Sequence, residues 1–418
     1  WKMADEEYKR ALAHVEKVVD IQPIEGADRI VLATILGWKV VVKKDEFKVG
    51  DLAVYVEIDS VLPADDVRFE FLKSKDYRIK TMKLNKFKVF SQGIAFHVNE
   101  FPEIKNPVEG MDVTEVLKIT KYEPYEPPVK SLSYKEAKNK RMFARHPKFF
   151  QSNFGKFVRK HPTLLKIFVY FWGGKNIKPK KFPDWIRRTD EIRCENIANI
   201  CSYKKPLLVT CKVDGSSTTF ALRFKNEKHK KYEIFVCSRN VRMLTETQSC
   251  YFETNVYYEM FKKYDVEEFL KATANLLQAD FVILQGETYG DKLQGNPYKM
   301  DYVDFRGYNL IYGYMEGTKQ FKANVNNPLY HRVGDTIQTR INSIKAKEMC
   351  EIHDIKWVPI LEENFILPDT MEELKQQATG ASVINPKVLR EGLVYRSITD
   401  PEFSFKNVSR EYLLSKGE

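Results

Sequence analysis

Lys212 lies inside an apolar, β-branched stretch, LVTCKVDGSS at residues 208–217, and Asp214-Gly215 follows two residues later. A lysine amine becomes a covalent nucleophile when nearby positive charge or a bound metal lowers its pKa from about 10.4. The neighbouring carboxylate is a ligand type that Mg²⁺ accepts. The same residues are also compatible with a plain hairpin turn and a solvated lysine. This motif alone therefore leaves both interpretations open.

Further polar residues follow strand-like segments in the second half of the chain. They are Arg239 in FVCSRN, Glu287 in LQGETYG, the aromatic stretch Tyr308–Tyr312, Glu391 in EGLVYRS and Lys406 in FSFKNVS. Each residue alone has an ordinary explanation as a surface carboxylate, an ion-pair partner or a solvated lysine. Their order after Lys212-x-Asp214-Gly215 is the informative property.

This ordered series resembles that of the covalent nucleotidyltransferases, the superfamily of ATP-dependent ligases and mRNA capping enzymes. Within it, the chain is similar to ATP-dependent RNA ligases of the nick-sealing group that carries an N-terminal OB module. FKVGDLAVYVEIDSVLP and RRTDEIRCEN also agree with that group, and the resemblance covers residues 13–125 and 182–414. Only twelve residues follow Lys406, whereas DNA ligases and capping enzymes usually carry an OB domain there. The resemblance therefore favours an RNA ligase.

The resemblance implies three chemical steps. Lys212 attacks the α-phosphorus of ATP to form lysyl-AMP, AMP moves to a 5′-phosphate, and a 3′-hydroxyl displaces it. Lys406 would contact the α-phosphate and supply positive charge beside Lys212. Asp214 and Glu391 would hold Mg²⁺, with Mn²⁺ as a possible substitute, partly through the water shell of the metal.

The resemblance also assigns nucleotide contacts. Glu287 would bind the ribose hydroxyls, and Arg239 a phosphate or the ribose. Arg193, in TDEIR, would contact the β- or γ-phosphate or help to orient the metal. Tyr308 or Tyr312 would stack on adenine.

Two positions depart from the family pattern. Cys211 stands where many relatives have a glutamate, although its backbone groups could still contact adenine. Gly313 stands where many ligases have an aspartate after the aromatic residue. The stacking residue is therefore open between Tyr308 and Tyr312, with Asn309 also possible.

The predicted fold class is α+β, with an OB-like β-barrel followed by an ATP-grasp-like nucleotidyltransferase domain of antiparallel sheets and helices. Short alternating runs and turn signals predict an OB-like domain at 13–120, and composition predicts a proline-rich linker and basic insertion at 121–188. The resemblance implies that residues 189–418 form an adenylyltransferase domain. Within the last, DVEEFLKATANLLQA at 265–279 predicts a helix with Phe269, Ala272 and Leu276 on one face.

Positive charge is concentrated in one region. The net charge is +11, but residues 130–188 contain seventeen Lys/Arg and only two acidic residues. This predicts a polyanionic partner, either nucleic acid or an anionic membrane. The basic insertion (residues 130–181) also contains the most hydrophobic piece of the chain, Leu164–Trp172. The simplest interpretation of that piece is a helix packing on the catalytic domain.

The expected partners are strand breaks in RNA or in RNA/DNA hybrids, contacted through the OB domain and the basic insertion. The six cysteines include no C-x-x-C pair, which suggests an intracellular compartment without distinguishing nucleus, cytoplasm or organelle. No apolar run reaches the roughly 20 residues needed to span a bilayer. Two alternatives stay open: an ATP-dependent DNA ligase, and a non-catalytic nucleic-acid-binding protein with a dead ligase core.

Overall fold

The described part of the chain forms two compact units. The computed structural model describes residues 10–122, 139, 142–143, 146–172, 180–188, 190–225, 231–243, 255–400 and 402–417. Most of the predicted linker KYEPYEPPVK, Gly173-Gly174 and parts of the basic insertion lie outside these residues. Unit 1 comprises Trp1–Pro124, Arg188–Val213 and Val358–Glu418, and unit 2 comprises Tyr125–Arg187 and Asp214–Trp357.

The N-terminal part of unit 1 is an OB module built on a five-stranded antiparallel sheet with strand order β3-β2-β1-β4-β8. Its strands are β1 (Ala13–Pro23), β2 (Ile30–Ile35), β3 (Trp38–Lys43), β4 (Leu52–Val56) and β8 (Ile94–His97). Four short strands pair beside it as β5-β9 and β6-β7. They are β5 (Ser60–Val61), β6 (Met82–Leu84), β7 (Val89–Ser91) and β9 (Thr120–Lys121). Alternating residues of β3, including Trp38 and Val40, are buried, as a half-exposed strand requires.

A second five-stranded sheet in unit 1 has the order β11-β22-β21-β12-β20. Its strands are β11 (Ile192–Arg193), β12 (Leu207–Lys212), β20 (Ile360–Phe365), β21 (Gly392–Ser397) and β22 (Ser404–Val408). Helices α8 (Met371–Ala378) and α9 (Arg410–Lys416) accompany it. Leu207, Val209, Tyr395 and Phe405 are buried in its core.

The OB module shares its core with this second sheet. Val408, at the end of β22, and Leu413, in α9, belong to the same buried cluster as Trp38. The indole Nε1 of Trp38 donates to Asn196 Oδ1 at 2.5 Å. Since both hydrophobic and polar contacts join them, the OB module and the second sheet form one packed body.

Unit 2 is built on an eight-stranded sheet with the order β10-β15-β14-β13-β16-β17-β19-β18. Its strands are β10 (Lys180–Lys181), β13 (Ser216–Phe224), β14 (Tyr232–Ser238), β15 (Val241–Met243), β16 (Phe281–Gly290), β17 (Val303–Met315), β18 (His331–Val333) and β19 (Thr336–Arg340). All its pairings are antiparallel. This arrangement confirms the predicted α+β class with an OB domain and antiparallel sheets.

Four helices accompany this sheet, namely α4 (Val256–Lys263), α5 (Val266–Leu277), α6 (Lys319–Asn324) and α7 (Ser343–Glu351). Helix α5 lies within the predicted segment, but its predicted face is wrong. Phe269 is buried beside Leu270 and Thr273, whereas Leu276 is 71 % exposed. The i, i+3, i+4 spacing from Val266 defines the buried stripe, and Leu276 lies outside it.

Three helices occupy the described part of the basic insertion: α1 (Pro147–Gln151), α2 (Asn153–Lys160) and α3 (Pro162–Trp172). The hydrophobic piece is indeed a helix, α3. Its Leu165, Phe168 and Trp172 pack against Phe150 and Val158 of the neighbouring helices. The insertion therefore builds a small core of its own. In the residues given above, no helix has both the length and the hydropathy needed to cross a membrane.

Candidate active site

Lys212 and Glu391 meet at one end of the second sheet of unit 1. Lys212 is the last residue of β12 and pairs with Gly392, the first residue of β21. This register places the two side chains together, and Lys212 Nζ lies 2.6 Å from Glu391 Oε1. The other carboxylate oxygen, Oε2, is buried and accepts no hydrogen bond within the described chain. A partly buried carboxylate with one unsatisfied oxygen has the donor chemistry of a divalent-cation ligand.

Lys406 lies in the middle of β22, where its backbone pairs with Val394 and, in parallel, with Arg193 of β11. Burial and the nearby positive charges of Arg193 and Lys212 lower the pKa of Lys406 to about 7. A large fraction of this amine is therefore neutral at physiological pH. A bound phosphate group would raise the protonated fraction of this amine, since the negative charge of the phosphate favours the protonated form.

Arg193 is buried, and its Nη2 donates to Asp59 Oδ2 at 3.2 Å. Its guanidinium carbon lies 5.8 Å from the ring centroid of Trp38. Within the residues described, Nε and Nη1 have no hydrogen-bond partner. Unsatisfied buried guanidinium donors are suited to an anion such as phosphate.

A polar network from the OB module surrounds this arginine, and the motif analysis did not identify it. Arg10 contacts both Glu57 and Asp59, at 2.7 Å and 3.2 Å, and Asn196 donates to Glu57 at 2.6 Å. Burial alone would raise the pKa of Asp59, but the charges of Arg193 and Arg10 outweigh it and hold that pKa below its usual value. The sequence held one signal of this network: Glu57 and Asp59 alternate with apolar residues in VYVEIDS. Buried charges require partners, so these two carboxylates indicated that cations lie nearby.

Cys211 precedes Lys212 on β12 and is buried. Its backbone N–H donates to the carbonyl of Pro359 at 2.9 Å. This strand contact holds the backbone just before Lys212. The structure therefore brings Cys211, Lys212, Glu391, Lys406 and Arg193 together within unit 1.

In unit 2, Asp214 and Gly215 lie against β13 and β16. The backbone N–H of Asp214 donates to the hydroxyl of Tyr298 at 2.8 Å, and Ser217 pairs with Glu287. A Cβ atom at Gly215 would lie 2.4 Å from the carbonyl oxygen of Thr288 and 3.0 Å from Cγ of Glu287. The glycine after Asp214 is required for this close approach.

Replacing Gly215 with alanine is expected to destabilise the protein by about 1–3 kcal/mol, because the methyl group must push the β16 backbone aside. Urea unfolding monitored by circular dichroism would measure this loss. Ser217→Ala is the neighbouring control and should change stability by less than about 0.5 kcal/mol. Equal stability of Gly215→Ala and the wild type would contradict the packing argument.

The two candidate stacking residues occupy different environments on β17. Tyr308 lies at a β-bulge, where Asn309 pairs with Gln285 and Gly307 with Gly286. The hydroxyl of Tyr312 accepts a hydrogen bond from Tyr330 at 3.3 Å. Both rings are partly exposed, so the choice between them stays a prediction.

Gly313 departs from the family pattern for a steric reason. A Cβ atom there would lie 1.9 Å from the carbonyl oxygen of Ile337 on β19. No aspartate fits this position without moving the strand. Arg239 is exposed and follows β14 directly.

Residues 12–98 match a family described as an OB-fold domain, and residues 205–408 match the RNA ligase family. No curated protein sequence matches the chain significantly.

Solved structures of Naegleria gruberi RNA ligase are similar to the whole chain. A mutant with AMP and Mn is 28 % identical, with a TM-score of 0.69 over 97 % of this chain and 99 % of that chain. A mutant with ATP and Mn is 27 % identical, with a TM-score of 0.68 over 97 % and 98 %. The enzyme with PPi is 28 % identical, with a TM-score of 0.70 over 98 % and 100 %.

The family matches and the structural similarity confirm the resemblance that the ordered motifs indicated. They also agree with the observed order of an OB module before a domain of antiparallel sheets and helices. The chain is therefore an enzyme of the RNA ligase family, with an N-terminal OB-fold domain.

Proposed function

We propose that this RNA ligase uses ATP to seal 3′-hydroxyl and 5′-phosphate ends, with nicks in a duplex as its substrate. The observation that carries the proposal is the position of Lys212, whose Nζ lies 2.6 Å from Glu391 and beside the electrostatically coupled Lys406. This is a lysine in a charged, partly buried setting at the end of a rigid strand. Such a setting suits a nucleophile better than a solvated turn residue.

In the first step, the neutral amine of Lys212 attacks the α-phosphorus of ATP. A nitrogen–phosphorus bond forms, the bond to the bridging oxygen breaks, and pyrophosphate leaves with the bonding electrons. The ammonium of Lys212 loses one proton to solvent before the attack, and its nitrogen loses a second proton once the bond to phosphorus has formed. Glu391 Oε1 is within hydrogen-bond distance to accept this second proton. Lys406 can take up a proton as phosphate arrives, which places positive charge where negative charge develops.

A divalent cation fits the unsatisfied oxygen of Glu391. Glu391 would hold it, and bound Mg²⁺ would offset the negative charge of the phosphates. Asp214 is proposed as a metal ligand from its place in the motif alone. The similar Naegleria gruberi structures contain Mn with AMP or ATP, which supports a divalent metal.

The remaining contacts are proposed from position and residue type. Arg193 has two buried guanidinium nitrogens without a partner in the described chain, and we assign it to the β- or γ-phosphate. In unit 2, Glu287 is assigned to the ribose hydroxyls and Arg239 to a phosphate or the ribose. Tyr308 or Tyr312 is assigned to adenine.

The direct test of this function is sealing of a duplex that carries one 5′-labelled nick. Four substrates would have RNA or DNA on the two sides of the nick, and a fifth would be single-stranded RNA. We expect joining that requires ATP and a divalent cation, and that is fastest when the 3′-hydroxyl strand is RNA. Joining of DNA ends alone would favour a DNA ligase, and RNA binding without joining would favour a non-catalytic binding protein.

The basic insertion is proposed to contact the RNA backbone, and the OB module is proposed to make further contacts with the RNA. Lys156, Lys160 and Lys166 on α2 and α3 are exposed. Phe157 and Tyr170, on the same helices, are 48 % and 79 % exposed. Lysines bind phosphates, and exposed aromatic rings stack on unpaired bases.

Replacing Lys156, Lys160 and Lys166 together by glutamine is expected to weaken RNA binding by about 10-fold or more at low salt. The slope of log K against log salt should fall by about 0.9 for each lost phosphate contact. Fluorescence anisotropy at several salt concentrations would measure both quantities, and formation of lysyl-AMP should be unchanged.

In a charge-matched control, glutamine replaces three exposed lysines elsewhere in unit 2, namely Lys299, Lys322 and Lys345. This control should leave the affinity and the slope close to wild type. Equal effects of the two triple variants would mean that only net charge matters. A different result would point to a membrane as the partner of the insertion instead of RNA. In that case the insertion variant would keep the wild-type salt slope for RNA, and the wild type would bind anionic vesicles while the variant would not.

A further inference from the structure

We infer that one face of α2, in the basic insertion, is a binding surface for unpaired bases of RNA. This surface is the aromatic row, formed by Phe154, Phe157 and His161. The inference rests on the proposed joining of RNA ends and deepens it, because it names the kind of RNA that the insertion selects. The substrate is then a nick flanked by unpaired nucleotides.

The three rings of the aromatic row follow one another along one side of the helix. Spacings of three and four residues place neighbouring side chains on the same helical face. The centroids of Phe154 and Phe157 are 6.4 Å apart with ring planes at 20°, and those of Phe157 and His161 are 3.8 Å apart with ring planes at 33°. The imidazole is also held in place, since its Nδ1 lies 2.8 Å from the carbonyl oxygen of Phe157. Rings of similar orientation form a surface on which flat bases can stack.

The packing of α2 turns this face towards solvent. A Cβ atom at Gly155 would lie 2.0 Å from the carbonyl oxygen of Phe149, so the side of α2 that carries Gly155 lies directly against α1. Val158 is on that side as well and is fully buried. Phe154 and Phe157 lie outside this buried stripe and are 57 % and 48 % exposed. The core of the insertion therefore does not account for the two rings.

A row of positive charge runs beside the rings. Lys156 and Lys160 are four residues apart on α2, and both are exposed. The helical repeat of 3.6 residues places them next to the aromatic row, on the side away from the buried stripe. The sequence of α2, NFGKFVRK, contains no acidic residue. A basic row beside an aromatic row suits a single strand of RNA, whose phosphates contact the charges while its bases stack on the rings.

The aromatic row gives the insertion a selectivity that its lysines alone lack. Lysines bind the phosphates of paired and unpaired strands alike. In a duplex, each base is stacked between its neighbours, and its flat faces are covered. The rings can therefore bind only bases outside a duplex, such as those of an overhang, a loop or a gap near the break.

Replacing Phe154 and Phe157 together by leucine tests the inference, because leucine keeps an apolar side chain and a good helix propensity but cannot stack on a base. We expect the affinity for a single-stranded RNA of about twelve nucleotides to fall by about 10-fold or more. The affinity for blunt-ended duplex RNA should stay within about two-fold of wild type. The slope of log K against log salt should be unchanged, since no phosphate contact is lost. Fluorescence anisotropy would measure these quantities, and circular dichroism would verify the fold.

Joining should show the same dependence on unpaired nucleotides. Two nicked substrates would share one duplex around the break, and one of them would end in a single-stranded overhang of about eight nucleotides, within the range that aromatic single-strand sites bind. The wild type should join the substrate with the overhang at a lower KM, whereas the leucine double variant should join both with similar KM. Formation of lysyl-AMP should be unchanged in the variant, because that step involves no RNA.

Two controls make the result specific to stacking at this row. Replacing Phe154 and Phe157 by tryptophan keeps aromatic rings and should retain the affinity for the single strand. Tyr302→Ala removes a ring that is 54 % exposed in unit 2, outside the insertion. This change should leave the affinities for single-stranded and duplex RNA unchanged.

Several outcomes would overturn the inference. They are unchanged single-strand binding by the leucine variant, an equal loss for single-stranded and duplex RNA, and a loss of binding to anionic vesicles with RNA binding unchanged. The last result would assign the row to a membrane. If the double variant does not fold, Phe157→Leu alone decides by the same two affinities. If the wild type binds single strands through the row but joins no ends, the proposed function fails while this inference stands.

Discussion

Formation of the covalent AMP adduct is expected to disappear when Lys212 is replaced by alanine. The proposed nucleophile is the amine at the end of β12, 2.6 Å from Glu391. Alanine has no group that can attack phosphorus, so the rate should fall by at least about 10³-fold. Incubation with ATP labelled at the α-phosphate and Mg²⁺, followed by a denaturing gel, would measure the adduct.

Two controls make this result specific to Lys212. Lys205→Ala removes an exposed lysine just before the same strand and should leave labelling unchanged. The intact mass of the freshly purified wild type would reveal AMP that was already attached, which would prevent labelling. Label retained by Lys212→Ala would show that another residue carries AMP.

Sealing of a nick that already carries AMP on its 5′ end separates the first step from the last. Lys212→Ala should keep part of this activity, because a strand that already carries AMP does not need the lysyl-AMP intermediate. Loss of both activities in a folded variant would give Lys212 a wider role than that of nucleophile.

The second large effect is expected at Lys406. Replacing it with methionine removes the charge that we assign to the α-phosphate while keeping the length and apolar stem of the side chain. The rate of lysyl-AMP formation should fall by about 10²–10³-fold, as for removal of one charge-stabilising donor in an active site. The same labelling assay would measure it, and a rate within a few-fold of wild type would contradict the assignment.

The pH dependence of ATP binding tests the same residue independently. Burial and nearby cations lower the pKa of Lys406 from 10.5 to about 7, so the free protein holds this amine mostly neutral at pH 8. Bound triphosphate favours the protonated form. The complex therefore binds more protons than the free protein, and affinity should fall as the pH rises above about 7.

Calorimetry at pH 8 in two buffers with different ionisation enthalpies would count these protons. The wild type should take up close to one proton per ATP, and Lys406→Met close to none. Equal proton uptake by the two proteins would assign the titration to another group.

The parts of this molecule that sequence could predict are those that depend on local patterns. The strands around Lys212, Glu287 and Tyr312 follow from apolar runs, and the fold class follows from their order and from the resemblance of the motifs. The periodicity correctly predicted helix α5, but it wrongly placed Leu276 on the buried face of that helix. The spacing of three apolar residues along one helix does not determine which stripe meets the sheet.

Contacts between distant segments could not be predicted in this way. Arg193 and Asp59 are 134 residues apart, and Lys212 and Glu391 are 179 apart. The motif order suggested the second pair, because both residues belong to the resemblance. Nothing local marks Asp59 as the partner of Arg193, since that pairing depends on how the OB module packs against β11.

The shared core of unit 1 has a consequence for biosynthesis. Strand β1 begins the buried cluster of the OB module, and Val408 and Leu413 complete it. When a nascent OB module emerges from the ribosome, part of the apolar surface of the module therefore stays uncovered until residues 404–413 have also emerged. Contacts of such long sequence separation form slowly and expose incomplete cores. The OB module should accordingly depend on chaperones during synthesis, and it should be poorly suited to expression as a separate fragment.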